Sequence, residues 1–319
     1  MSEDLGSRKA NRKKTEIKKV KSFIKVDDLS REEILSVIKR ANTLHDLWHR
    51  NKMPKTLADK KIALWFFGQG FRNRVAFELG ARALGADVSF IPGDLGVHEP
   101  IEDIASYLRN WFSMLVIRCQ SHENLERVVA DSSIPVINAR TAFNHPCELI
   151  GDLQYIYNKR GSIDDLNVVF IGEVTNLCMS WFEAARALPI QVKQIGPAGY
   201  LAGENLVRKL NEGARGLISV SSTLDGAITR DVDVLYTDCW PRGDNKDRVR
   251  ELFLPYQITK GLVSKMDPKG FFMPCPPITR GEEISTDSLA AEQYCDYEAK
   301  EYLLHAQNAL MEYCFSEKF

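Results

Sequence analysis

The chain has 319 residues, which suggests two domains of about 100–200 residues each. It is 44% hydrophobic and 27% charged, the composition of an ordinary folded protein, and its net charge of −1 argues against a strong overall field for nucleic acid or membranes. No apolar run approaches the roughly 20 residues of a membrane span, and the N-terminus has no hydrophobic signal core. The seven cysteines lack disulfide-type or zinc-type spacing. We therefore expect a cytoplasmic protein with no metal, no membrane partner and no nucleic-acid partner.

Residues 1–22 are polar and rich in lysine and arginine. A charge run of this kind is typical of a solvated, poorly ordered extension. Contact with RNA or an anionic surface is the alternative, but no aromatic residue lies among the lysines. We expect the folded part of the chain to begin near residue 23.

Short apolar strands then alternate with amphipathic helices. Ser30 and Glu33 form a capping box that starts the first helix. Strands are predicted at residues 61–67, 86–91, 114–117 and 135–138, with helices at 72–84, 101–110, 121–130 and 146–157. After a linker at 161–165, strands are predicted at 167–171, 191–195, 216–220, 232–236 and 271–273, with helices at 177–188, 201–211 and 292–315. This alternation predicts an α/β fold with two Rossmann-like domains, each a mostly parallel sheet with helices on both faces.

The junction at residues 66–78 carries the first chemical signal. An apolar strand ends in a turn with Gly68 and Gly70, and a helix follows at once. The turn directs free backbone N–H groups and the positive end of the helix dipole at whatever lies above it. Arg72 and Arg74 make it a candidate oxyanion or phosphate site. The alternative is an ordinary turn with two surface arginines.

The residues that follow the other strands also indicate a binding site. Ligands of open α/β sheets bind outside the carboxyl ends of the strands. These ends are rich in Arg, Asn, His, Asp and Cys, and they comprise residues 68–74, 118, 138–145, 172–176, 237–243 and 274–280. The sequence therefore predicts an active site between the two domains.

Several of these segments, in order, resemble the aspartate/ornithine carbamoyltransferase family, and more closely its ornithine branch. The resemblance runs from about residue 23 to about residue 310. It rests on Gly-Phe-Arg-Asn-Arg-Val-Ala-Phe-Glu at 70–78, Leu-Val-Ile-Arg at 115–118, and Val-Ile-Asn-Ala with His-Pro-Cys-Glu-Leu-Ile-Gly-Asp-Leu at 136–139 and 145–153. In the second half it rests on Gly-Glu-Val-Thr-Asn at 172–176, Tyr-Thr-Asp-Cys-Trp at 236–240, and Phe-Met-Pro-Cys-Pro-Pro-Ile-Thr-Arg-Gly-Glu-Glu at 272–283.

The first motif implies a loop that holds the phosphate of carbamoyl phosphate. Arg72 matches the family's first arginine. Gly70 and Phe71 replace two hydroxyl residues, and each lost hydroxyl contact to a charged group costs about 1.5–3 kcal/mol. Asn73 stands where a threonine contacts the carbamoyl oxygen. Arg74 matches the second arginine, or it only braces Glu78 one helical turn away.

Three further residues match the carbamoyl end of the family's site. The resemblance implies that Arg118 points at the carbamoyl carbonyl and that His145 is a fixed, mostly neutral donor to its oxygen. An isolated histidine is more often structural. Glu148 replaces a glutamine, and an ionised carboxylate there cannot donate a hydrogen bond and repels an anion.

The motifs in the second half of the chain match the family's binding residues for the amino-acid substrate. Asn176 matches the residue that binds the α-amino-acid group, and Asp238 matches the aspartate that engages the amine. Arg242 stands where the ornithine branch has Ser-Met, which suggests a substrate with an extra acid group; a solvated loop arginine is the alternative.

Cys275, Pro277 and Arg280 match the last motif, Cys275 as the active-site cysteine. A buried, inert Cys275 and an Arg280 paired with neighbouring glutamates are the alternatives. The ornithine branch of the family also has an arginine in the C-terminal helix. Here Tyr302 or Leu303 stands in its place, so we expect that cation to be missing.

The resemblance implies a homotrimer in which a neighbouring subunit completes each site, and His98 is the candidate residue in that loop; an ordinary exposed histidine is the alternative. It implies no metal or organic cofactor. It also implies a carbamoyl-phosphate-binding domain at 23–155, an amino-acid-binding domain at 156–290, and a C-terminal helix at 291–319 that packs back on the first domain.

Three functions are compatible with these residues. The favoured one is a carbamoyltransferase that acts on the amine of an ornithine-like or modified amino acid. The second is a diverged homologue with another acyl-phosphate or amine substrate, or a non-catalytic binding or regulatory protein. A dinucleotide enzyme is disfavoured, because the turn at Gly68 and Gly70 lacks the third glycine of that fingerprint.

Overall fold

The structure is a computed structural model that describes residues 20–243, 245–316 and 319. Residues 1–19 of the predicted basic extension lie outside the described residues. Among the helices that are described, none is both long and apolar enough to cross a membrane.

The first sheet has four parallel strands in the order β2-β1-β3-β4. Two apolar clusters cover its two faces, because alternate residues of β1 and β3 point to opposite sides. Ile62 and Val116 pack on the side of α1 and α2, whereas Ala63 and Leu115 pack on the side of α3 and α4. The elements are α1 (Arg31–His49), β1 (Lys61–Phe66), α2 (Phe71–Ala83), β2 (Asp87–Pro92), α3 (Ile101–Leu108), β3 (Met114–Arg118), α4 (His122–Asp131) and β4 (Val136–Arg140).

The second sheet has five parallel strands in the order β7-β6-β5-β8-β9. Val168 and Phe170 face the core that contains α6, and Val169 and Ile171 face the core that contains α9. The elements are α5 (Pro146–Arg160), β5 (Asn167–Ile171), α6 (Asn176–Ala187), β6 (Gln191–Ile195), α7 (Glu204–Asn211), β7 (Leu217–Ser221), β8 (Val234–Thr237), α8 (Lys246–Phe253), α9 (Lys260–Val263), β9 (Phe271–Pro274) and α10 (Glu298–Phe315). The predicted fold class, two parallel α/β units with helices on both faces, is confirmed.

Two long helices join the units. α10 packs against α1, α2 and α5, and one continuous apolar core runs from the first sheet through these helices to the second. α5 begins at Pro146, directly after the last loop of the first sheet, because proline is favoured in the first helical turn. The two sheets are therefore held with a shared cleft at the carboxyl ends of their strands.

The predicted capping box is confirmed: the Ser30 hydroxyl accepts from the Glu33 N–H, and the Glu33 carboxylate accepts from the Ser30 N–H. The C-terminal helix begins at Glu298 and not at residue 292, because Asp296 has a φ of 51°, in the left-handed region that a right-handed helix excludes. α8 was not predicted. Its cap, the Asn245 side chain accepting from the Arg248 N–H, is a signal that the sequence did contain.

Candidate active site

A cavity of about 630 Å³ lies between the two sheets. Every strand-end segment of the prediction contributes to its wall, the segment 172–176 through Asn176, because parallel strands bring their carboxyl ends to one edge of each sheet. The lining residues are Gln69, Gly70, Phe71, Arg72, Asn73, Arg118, Arg140, His145, Glu148, Asn176, Leu177, Asp238, Cys239, Arg242, Cys275, Pro276 and Pro277.

The turn before α2 is packed directly against Arg118. Gly70 caps the helix in the left-handed region, with φ 38° and ψ 39°. A Cβ atom on Gly70 would lie 2.8 Å from the Arg118 Nε and 2.9 Å from its Cζ. Glycine at this position therefore lets the guanidinium approach the turn that the sequence marks as an anion site.

We expect Gly70→Ala to weaken anion binding at the turn at least tenfold, because the new methyl group displaces the Arg118 guanidinium. Gly68→Ala is the matched control. Gly68 is also left-handed, with φ 67°, but has no atom within 4 Å of an added Cβ. Both variants bear a backbone cost of about 1–2 kcal/mol. Calorimetric titration with inorganic phosphate separates them, and equal affinities in the two variants would refute this packing role.

Arg72 connects the two halves of the cavity. Its Nη2 donates to the Pro276 carbonyl at 2.7 Å, across from α2 to the loop after β9. Phe71 beside it is exposed. Asn73 is buried, and its amide donates to the Ala139 carbonyl at 2.7 Å and accepts from Gln307 at 2.7 Å. Asn73 therefore fixes the first turn of α2 with both ends of its side-chain amide.

Arg74 does not brace Glu78. Its guanidinium lies over the ring of Phe90, 4.5 Å from the centroid, and Glu78 pairs with Arg82 instead at 3.4 Å. Cation–π contact explains why Arg74 turns toward β2 and not along the helix. Arg74 is absent from the cavity wall.

Arg118 and Arg140 concentrate positive charge at the cavity floor. They are Cα partners at the ends of β3 and β4, next to an irregularity in the strand pairing. Burial, and then repulsion from Arg140, lowers the pKa of Arg118 to about 10, and its Nε has no hydrogen bond to any described residue. An anion bound here would relieve this repulsion.

His145 is buried between Asn73 and Glu148. Its Nε2 lies 3.4 Å from the Asn73 amide and 3.9 Å from a Glu148 oxygen. Burial lowers the pKa of His145 to about 4, so the imidazole is neutral near pH 7. This agrees with the neutral donor that the resemblance implies.

His145→Gln should lower the rate constant kcat/KM for any reaction in this cavity by roughly 10- to 100-fold, since one oriented donor to a charged group is worth about 1.5–3 kcal/mol. The pH profile between 5.5 and 9 should keep its shape, because the histidine does not titrate in that range. Parallel profiles of wild type and variant provide the measurement. An ionisation near 6.5 that only the wild type shows would contradict a neutral His145.

Glu148 is neutralised by a cation that the sequence analysis missed. Lys300 on α10 places its Nζ 2.8 Å from Glu148 and 2.7 Å from Asp152, and the Tyr236 hydroxyl donates to Asp152 at 2.7 Å. Against the opposing effect of burial, Lys300 and then His145 lower the pKa of Glu148 to about 2. The Glu148 charge therefore has a direct counter-ion on the C-terminal helix, at a position other than Tyr302 or Leu303.

The opposite wall comes from the second sheet. The Asn176 amide donates to the Thr141 carbonyl at 3.0 Å, which links α6 to the first sheet. Asp238 accepts from the Cys239 N–H at 2.8 Å, and burial raises the pKa of its carboxyl. Cys275 is buried, and burial raises the pKa of its thiol well above the usual value. Cys275 is therefore a neutral thiol, and Pro277 lies beside it at the rim.

Besides Arg74, two predicted residues lie outside the cavity and one lies at its edge. Arg280 is exposed, its backbone pairs with Ile284 in an isolated bridge, and it is not among the residues that line the cavity. His98 is exposed in the loop after β2, beside Trp111 and not beside Arg72. Arg242 is exposed but lines the wall. Arg140 and Lys300 are the cations that sequence reasoning did not select.

Comparison with known proteins identifies the family of this chain. Residues 21–158 match the carbamoyl-P binding domain of the aspartate/ornithine carbamoyltransferases, and residues 164–314 match their Asp/Orn binding domain. The chain belongs to the aspartate/ornithine carbamoyltransferase family, which confirms the resemblance.

The relatives match over nearly their whole length. The chain is 34% identical over 306 residues to an ornithine carbamoyltransferase of a Psychrobacter species, with 94% of this chain and 98% of that protein covered. It is 34% identical over 304 residues to the Acinetobacter baylyi ornithine carbamoyltransferase, with 93% and 98% covered. The structure of the Burkholderia thailandensis ornithine carbamoyltransferase superposes with a TM-score of 0.85 at 27% identity, covering 94% of this chain and all (100%) of that one.

Proposed function

We propose that this protein transfers the carbamoyl group of carbamoyl phosphate to the amine of an ornithine-like amino acid. The observation that carries the proposal is the pair of half-buried, like-charged arginines, Arg118 and Arg140, beneath the Gly70 turn and beside neutral His145. Across the cavity stand Asn176 and Asp238, an amide and a carboxylate of the kind that holds an amino acid. The names of the relatives support the same reaction.

The proposed chemistry needs only the groups of the cavity wall. An unprotonated amine attacks the carbamoyl carbon, a C–N bond forms, and the C–O bond to phosphate breaks with the electron pair leaving on phosphate. The amine proton leaves to phosphate or solvent. Arg72 stabilises the phosphate charge, and Arg118 and His145 donate to the carbamoyl oxygen, so positioning and charge stabilisation supply the catalysis.

We propose that the unit at residues 23–155 holds carbamoyl phosphate and that the unit at 156–290 holds the amino acid. The matched domain descriptions divide the chain at nearly the same place. Arg242 at the rim, where the ornithine branch has Ser-Met, supports an amine substrate that carries an extra acid group.

A panel of amines tests both the reaction and this preference. Ureido product should form from carbamoyl phosphate with L-ornithine, its N-acylated dicarboxylic derivatives, or both. Arg242→Ala should reduce the rate only with the derivatives. Lack of binding of carbamoyl phosphate at millimolar concentration would overturn the proposed reaction, whereas equal effects of Arg242→Ala on all amines would overturn only the acid-group preference.

We also propose a homotrimer in the cytoplasm. An exposed apolar stripe on α2 supports the assembly, because Phe71, Val75 and Leu79 are 61%, 41% and 49% exposed beside the cavity. His98 remains the candidate from the neighbouring subunit. The seven unpaired cysteines support a reducing compartment. Light scattering should give three times the mass of one chain, and a monomer would contradict the assembly.

A further inference from the structure

A second cluster of titratable side chains lies outside the catalytic cavity. We call it the histidine–glutamate cluster, and it consists of His45 and His49 on α1 with Glu301 and His305 on α10. Each pair is spaced by four residues, so both members lie on one face of their helix. The packing of α10 on α1 brings the two pairs together.

The potential ligand atoms converge. The His49 Nε2 lies 2.7 Å from a Glu301 oxygen, and the His45 and His305 Nε2 atoms lie 3.8 and 3.9 Å from the same oxygen. One ligand atom from each of His45, Glu301 and His305 lies within 4.8 Å of the others. A tetrahedral Zn²⁺ with bonds of about 2.0–2.2 Å needs ligand atoms roughly 3.4 Å apart. Side-chain shifts of roughly 1–2 Å would bring His45, Glu301 and His305 to that spacing, and His49 adjoins them through its contact with Glu301.

His305 gives the independent reason to expect a ligand. The side chain is buried, and neither ring nitrogen has a hydrogen bond to any described residue. A buried polar group without a partner costs about 1–3 kcal/mol, so such groups in folded proteins are usually satisfied.

The donor set and the access route suit a borderline divalent ion. Three imidazoles and one carboxylate match the nitrogen and oxygen ligands that Zn²⁺ accepts. The side chains of His49 and Glu301 are 54% and 38% exposed, and a cavity of about 310 Å³ reaches Glu301 and His305 past Trp48. An ion can therefore enter without unfolding of α1 or α10.

We propose that His45, His49, Glu301 and His305 form a structural Zn²⁺-class site that fastens α1 to α10. The sequence predicted no metal, because its Cys and His residues lack zinc-type spacing and these ligands come from opposite ends of the chain. The site is separate from the proposed transfer reaction, which uses no metal. Its expected effect is on stability, since a ligand that binds only the folded chain stabilises it.

The test uses the full chain after removal of metal with EDTA. Titration with Zn²⁺ against a chromophoric chelator should give one equivalent bound with micromolar or tighter affinity, and should raise Tm by several degrees. Co²⁺ should give the intense visible bands of a tetrahedral site. His49→Gln, at an exposed position, should weaken binding at least tenfold, and His45→Gln/His49→Gln should abolish the tight equivalent.

Two control variants locate the ion. Glu298→Gln removes an exposed carboxylate one turn before Glu301 that pairs with Lys159, and it should keep full binding. Cys275→Ser removes the soft ligand of the catalytic cavity and should also keep it. Loss of the tight equivalent in Cys275→Ser, its retention in His45→Gln/His49→Gln, or the absence of any tight equivalent in the wild type would each overturn the proposal.

Discussion

Arg72→Ala should lower the affinity for carbamoyl phosphate by roughly 30- to 1,000-fold, which corresponds to about 2–4 kcal/mol. The guanidinium stands at the start of α2 beside the Gly70 turn, where backbone N–H groups and the helix dipole already favour an anion. Because this copy of the loop lacks the family's two leading hydroxyls, the arginine carries a larger share of the binding. Calorimetric titration with carbamoyl phosphate measures the loss.

The same variant also tests whether Arg72 couples the two halves. It removes the hydrogen bond to the Pro276 carbonyl, so KM for the amine should rise together with KM for carbamoyl phosphate. Arg82→Ala, on the last turn of the same helix and paired only with surface Glu78 and the Val88 carbonyl, is the matched control. A parent-like affinity in Arg72→Ala would refute the phosphate assignment.

Lys300→Met should reduce the free energy of unfolding by about 3–5 kcal/mol, because it leaves two buried carboxylates without their cation. Glu148 and Asp152 have side chains only 10% and 1% exposed. The variant should also bind carbamoyl phosphate poorly, since an uncompensated Glu148 lies in the cavity wall with Arg72 and Arg118. Denaturant unfolding gives the stability, and titration of the folded fraction gives the binding.

Two further variants show which interaction causes this loss of unfolding free energy. Lys159→Met breaks an ion pair that also joins α5 to α10 but is exposed, and it should cost at most about 1 kcal/mol. Adding Glu148→Gln to Lys300→Met should recover part of the stability, because one buried charge is removed. If Lys159→Met and Lys300→Met cost the same, the buried network has no special role.

The pairing of Glu148 with Lys300 also affects how the free energy of unfolding falls at acid pH. The pKa of Glu148 falls from 4.5 to about 2 in the folded protein, so its contribution is complete above pH 4.5 and is lost as the pH falls toward about 2. Lys300→Met should remove this contribution, and with it the steep loss of stability in that range.

The sequence predicted much of the fold and of the cavity wall, because both depend on the order of strands and helices along the chain. Apolar runs such as residues 61–67 marked the strands, and the rule for parallel sheets placed Arg118, His145 and Asp238 at one edge. Local patterns could not determine which face of a long helix meets the site. The sequence offered only Tyr302 and Leu303 in place of the family's arginine, whereas α10 packs on α5 and Lys300 lies against Glu148.

The sequence also did not predict the geometry of the loops and strand ends. Arg280 matches a family arginine by sequence, yet it is exposed and is not among the residues that line the cavity. Arg140 carried the same signal as Arg118, an arginine after an apolar strand. Its importance appears only when β3 and β4 pair and set the two cations side by side.

One measurement tests the central claim most directly. The protein is incubated with ¹³C-labelled carbamoyl phosphate and L-ornithine or its acidic derivatives, and the reaction is followed by carbon and phosphorus NMR. A cavity that holds carbamoyl phosphate at the Gly70 turn and an amino acid at Asn176 and Asp238 predicts a labelled ureido carbon, with one phosphate released per product. Decay of the labelled compound at its buffer rate, with no binding heat in a parallel titration, would contradict the account.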